Sequence, residues 1–216
     1  MQMLAINDLM YEMVFDAPDY HQLEKVWDLI IEDDRYDPLL ERIPGWEVYS
    51  EPLQSIINKM VDDEDEAVKE IESLSADQPG NVDIGVLHIN LLRNLKRTLE
   101  LEQLTKYWYE RAGNHYYIRL MYAVLLTEQE RYNELFELFG NQPGLDGLTK
   151  ENLPFTALMV SEFCACYVLA WLSKDCIDEA EPYYQILIDL DNKAPIIQNA
   201  LIAMMTKKKE AYLKKI

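Results

Sequence analysis

Apolar positions along this chain recur at intervals of three and four. In the stretch 63–81 they fall at Ala67, Val68, Ile71, Leu74 and Ala76, after the four carboxylates Asp63, Glu64, Asp65 and Glu66 and before Pro79-Gly80-Asn81. A helix turns once in 3.6 residues, so this spacing gathers the apolar side chains onto one face. The same spacing returns nearly everywhere, sustained strand-like alternation is absent, and the pattern predicts an all-α protein. Start signals stand at Asp19, Asp37-Pro38, Ser50, Asn81, Asn114 and Asp175, where a side-chain oxygen can serve the orphan N–H groups of a helix. Stop signals stand at Pro44-Gly45, Pro79-Gly80, Gly113 and the Gly140 to Gly147 loop. Together they divide the chain into about ten or eleven helices of roughly 10 to 17 residues joined by short turns.

Laid over one another, the helices repeat. Glu66-Ala67, Glu100-Leu101 and Glu134-Leu135 are separated by 34 residues each time, and Glu179-Ala180 follows after 45, as if 11 residues had been inserted between Gly140 and Pro154. A period of 34 is the length of a tetratricopeptide helix-turn-helix unit.

On these residues the chain resembles the tetratricopeptide repeat (TPR) family. The fullest copy is Ser161 to Asn192, where Tyr167-Val168 hold the place of the family's Leu-Gly pair and Trp171 that of its Tyr. Ala180, Tyr184 and Leu187 hold its small, aromatic and second small positions. Ala67, Ile71, Leu74 and Pro79 fill the second half of an earlier unit whose first half is Tyr49 to Asp63, and weaker copies run through 82–108 and 119–139, with a further one at Leu23 to Ile43. Pro182 lies inside the second helix of the fullest copy, at a cost of about 3 kcal/mol unless that helix begins later or bends. The resemblance implies a right-handed α-α superhelix, a solenoid of about four to five repeats in a single domain. Residues 1–18 would form an N-terminal cap, 19–192 the repeats and 193–216 a C-terminal capping helix.

Composition narrows what such a body would bind. The net charge of −19 opposes nucleic acid and anionic membrane, both of which are recognised chiefly through Lys and Arg. The basic segment Lys207 to Lys215 is the exception, read either as a solvated last turn or as a contact for an acidic partner or another copy. Apolar residues at 49% suffice for a sizeable core, no Ser/Gly-rich or Pro-rich tract divides the halves, and three cysteines form no closed disulfide framework. The N-terminal segment lacks a secretory pattern and no apolar run approaches the ~20 residues of a membrane span, so a cytoplasmic location is expected.

Catalytic chemistry finds little to use. There is no Gly-rich phosphate loop, no nucleophile elbow and no HExxH helix. His21, His88 and His115 are scattered. Cys164 and Cys166 point roughly 200° apart on a helix and do not share a metal ion. The run Asp62 to Glu66 lacks the Gly and Glu that an EF-hand loop requires after it. A non-enzyme without cofactor or metal is expected. The aromatic clusters Tyr107-Trp108-Tyr109, Tyr116-Tyr117 and Tyr183-Tyr184 read first as core filler, then as groove contacts or a ligand cage.

Family members line their concave face with the first helix of each unit. Carried over, that rule nominates Tyr49, Ile56 and Lys59; Asp83, Val86, Asn90 and Arg93; Tyr117, Leu120, Val124 and Thr127; Glu162, Ala165, Leu169 and Leu172; and Asn199 with Ala203. Val86 and Leu120 occupy places where the family's carboxylate clamp has polar donors, so a partner segment with apolar anchors, basic between them, is expected instead. Burial of some of these positions by the Gly140 to Pro154 loop or by self-association is the competing reading. Three functions follow: a non-catalytic protein-interaction scaffold, a chaperone or targeting factor for an exported or assembling protein, and a small-molecule sensor or enzyme.

Overall fold

Residues 55, 56, 59, 63–140, 157–190 and 194–214 are described by a computed structural model, and every regular element among them is helical. Eight helices follow one another: α1 (Glu64–Asp77), α2 (Val82–Asn94), α3 (Thr98–Ala112), α4 (Tyr116–Glu128), α5 (Tyr132–Phe139), α6 (Ala157–Ser173), α7 (Ile177–Leu190) and α8 (Pro195–Leu213). Ser55, Ile56 and Lys59 are helical too. The expected cap at 1–18, the unit at Leu23 to Ile43, Tyr49, the starts at Asp19, Asp37 and Ser50 and the Pro44-Gly45 stop lie outside the described residues.

The helices begin and end for local reasons. The Asp63 carboxylate accepts the Glu66 N–H at 3.1 Å to open α1, and the Asn81 side chain accepts from Asp83 and Ile84 at 3.2 and 3.4 Å to open α2. Gly80 and Gly140, at φ 92° and 89°, supply the left-handed backbone that leads out of α1 and α5.

At the ends of α2, α4 and α6 the chain turns in one common way without glycine. Lys96, Glu130 and Asp175 have φ of 57°, 56° and 56°. Their N–H groups donate to the carbonyls of Arg93, Thr127 and Leu172, and the next residues, Arg97, Arg131 and Cys176, donate to Leu92, Leu126 and Trp171 at 3.0, 2.8 and 3.1 Å. That pairing is a Schellman motif. The carbonyls of Arg97, Arg131 and Cys176 then accept from Leu101, Leu135 and Ala180 to start the next helix. From 96 to 130 is 34 residues and from 130 to 175 is 45, the intervals read from the Glu-apolar pairs. Asp175 therefore sits in the turn rather than capping α7, and α4 is preceded by His115 rather than Asn114.

Each helix packs against its chain neighbour, and the even helices α4 and α6, and α6 and α8, also pack together. Two apolar clusters result. The smaller joins Ile56, Ala67, Val68, Ile71, Ile84, Leu91 and Leu92; the larger runs from Val86 and Ile89 through α4 and α6 to Ala200 and Met204 in α8. Leu101 and Leu104 of α3 touch both. Gly85 lets α2 approach α3 closely: a Cβ there would collide with the Trp108 indole. Pro182 is accommodated inside a continuous α7, at an exposed position. Most of the aromatics are core filler, with Tyr116, Tyr117, Trp108 and Tyr184 buried, Tyr109 stacked on Tyr122 at 4.0 Å and Tyr167 on Tyr183 at 5.1 Å. Tyr107 stays exposed under the Arg111 guanidinium. Among the described residues, no helix is long and apolar enough to cross a membrane.

Candidate partner-binding face

The even helices α2, α4 and α6 place corresponding residues at the repeat interval, so that Asp83, Tyr117 and Glu162 are equivalent, as are Asn90, Val124 and Leu169, and Arg93, Thr127 and Leu172. Three side-chain bonds run along this face. The Tyr117 hydroxyl donates to the Asn90 Oδ1, tying α4 to α2. Arg93 Nη1 lies 3.7 Å from the Met121 sulfur of α4, and its Nη2 donates to Glu162 Oε1 of α6. One guanidinium thus reaches across three even helices.

Glu162 is 1% exposed, which makes it the most deeply buried charged side chain of the described part. Burial pushes its carboxyl group above the usual range, while Arg93 pulls it back. Arg93 is held charged by Glu162, against the opposing effect of its own partial burial. Glu128, the last residue of α4, acts electrostatically on both partners, and burial raises its own carboxyl while Arg93 draws it back. Thr127 donates back to the Ala123 carbonyl at 2.8 Å, and burial drives the neighbouring Cys166 thiol up to about 12. Cys164 is raised further by the same cause. Both thiols are interior groups with little thiolate character. His88, 7% exposed, is depressed to about 4 by burial.

The nominated positions divide by burial. Ile56, Val86, Tyr117, Leu120, Val124, Thr127, Glu162, Ala165 and Leu172 are buried, so they serve the chain's own packing. Asp83, Asn90, Arg93, Leu169 and Ala203 are half-buried and Asn199 is exposed. Lys59 binds the Glu70 carboxylate of α1 at 2.5 Å. The structure brings together Asn90 with Tyr117 and Arg93 with Glu162, whereas Tyr49 lies outside the described residues. Met121 and Glu128 join the group without having been singled out. Each stands one residue beyond a nominated position, and four-residue steps from Tyr117 reach Met121 directly.

Neither protein-family models, nor curated proteins, nor solved structures give a match to this chain. The arrangement itself is a charged and hydrogen-bonded seam set in an apolar wall. It holds no nucleophile paired with a base, and among the described residues no cluster of ligating side chains fit for a metal ion.

Proposed function

We propose that this chain is a TPR-like helical-repeat scaffold that binds a segment of another protein along α2, α4 and α6. The observation that carries the reading is the Arg93 bridge to Glu162. It joins equivalent helices α2 and α6 along one face, passing Met121 of α4, as units with a common stacking direction would allow. The Schellman turns recurring after α2, α4 and α6 support a repeated helix pair.

A partner would meet the part of the face that remains accessible, from Asp83 through Asn90, Arg93 and Glu128 to Leu169. Glu128 stands at the exposed part of this face, where a Lys or Arg of the incoming segment would meet it, with apolar anchors on the wall either side.

Photo-crosslinking tests this. A photoreactive residue at position 90 in the tagged protein, irradiated in native lysate, is expected to capture a discrete polypeptide, and one at the exposed position Glu72 of α1 is not. No adduct from position 90, or equal capture from both sites, would reject the reading.

A further inference from the structure

The last described helix has a second face that the packing leaves open. Ile202, Met205, Lys209 and Leu213 follow at spacings of three, four and four, which places them in one stripe along α8. Ile202 is 61% exposed, Leu213 59% and Met205 40%, and Tyr212 beside them is 41% exposed. Four of the seven large apolar side chains exposed among the described residues are therefore on this helix. The opposite face, Ile196, Ile197, Ala200 and Met204, is buried against α6 and α7.

Position makes the stripe informative. The even helices α2, α4 and α6 each pack against the helix that follows, α3, α5 and α7. Among the described residues no helix takes that place on α8. An exposed helix face is ordinarily polar, whereas this face of α8 carries exposed apolar side chains.

Charge selects the occupant. From Pro195 to Lys214 the segment carries Lys207, Lys208, Lys209 and Lys214 against Glu210 alone, on a chain whose net charge is −19. Lys207 is engaged with Asp175 and Lys208 with Glu181 at 2.6 Å, and Lys209 lies on the stripe itself. Lys209, exposed on the stripe, is a cation that an incoming carboxylate would meet.

We propose that the outer face of α8 docks an amphipathic helix of a partner protein, apolar along the Ile202–Met205–Leu213 stripe and acidic where it meets Lys209.

Fluorescence anisotropy with designed peptides tests the proposal on the full chain. The probe is a labelled 18-residue helix with Leu at i, i+3, i+4 and i+7 and Glu on its flanks, compared with a Lys-flanked version and a scrambled one. The Glu-flanked probe is expected to bind at least tenfold tighter than either, Ile202→Asp to weaken it tenfold, and Lys209→Glu to erase the preference for Glu over Lys. Both positions are exposed, and unchanged circular dichroism and melting identify folded variants. Absence of binding, or equal binding of the scrambled probe, overturns the proposal. So does a wild-type dimer in sedimentation that Ile202→Asp dissolves, since a copy would then own the face. Flotation with phosphatidylserine vesicles, lost in the same variant, would assign the face to lipid and overturn it likewise.

Discussion

Glu162 sits where a carboxylate is expensive, and Arg93 is the reason it is tolerated. Replacing Arg93 by Met strands a buried charge, so the expected loss at pH 7 is about 3–5 kcal/mol, read from urea midpoints. The double variant Arg93→Met, Glu162→Met is expected to recover most of it. Because burial raises the Glu162 carboxyl in the folded state, between the ordinary and the raised value the native form holds a proton that the unfolded chain has released. Stability from that group is full below the ordinary carboxylate value and is lost as pH rises through the raised one. The Arg93→Met variant is therefore expected to be weaker at pH 8 than at pH 5. His88 runs the other way. Its folded value near 4 lies below the ordinary 6.5, so its contribution is present above 6.5 and disappears as pH falls toward 4. The span is worth at most about 3 kcal/mol, and His88→Gln is expected to flatten that limb of the pH–stability curve. Arg93 and Glu162 were both legible as face positions, but their pairing joins residues 69 apart in sequence. No local pattern encodes such a contact.

Among the elements, the turns after α2, α4 and α6 are the most regular feature and the least visible in sequence. A left-handed residue at a helix end is ordinarily announced by Gly, and here Lys96, Glu130 and Asp175 hold the place. Asp175 was read as a helix start because Asp is a strong N-cap, while its carboxylate in fact receives Lys207. The 34-residue register survived because it rested on the first turns of α1, α3, α5 and α7, whose charged-then-apolar pattern is local. Lys96→Gly and Glu130→Gly are each expected to raise stability by about 0.5–1 kcal/mol, by relieving a conformation that L-residues adopt reluctantly, and Lys96→Val to lower it. Thermal melts of the three variants decide this. Gly85 is the converse case, since nothing in its surroundings in sequence shows that Trp108 lies against it. Gly85→Ala is expected to cost about 1–3 kcal/mol through overpacking, measured in the same way.

For the molecule as a whole, the described core comes in two parts. Among the described residues, the cluster around α1 and α2 and the larger one share the partly buried Leu101 and Leu104 of α3. In a body whose helices touch mainly their neighbours, parts that share few side chains can open separately. Amides of α1 are expected to exchange at lower urea than those of α4 and α6, and Leu101→Ala with Leu104→Ala to widen the gap. Coincident exchange across all helices would count against such a division. The all-helical class and the pairing of neighbours were legible from periodicity and turn residues. Which face would be left open was not, because burial depends on how successive units lie against each other.

The interval of 45 residues between Glu130 and Asp175, where 34 would suffice, has a practical meaning. Helices α5 and α6 pack directly although 17 positions, 140–156, separate them in sequence. Chain closure grows costlier only logarithmically with added residues. A reporter domain or an epitope spliced into that stretch would ride on the scaffold as cargo, leaving the helix pairs on either side in register.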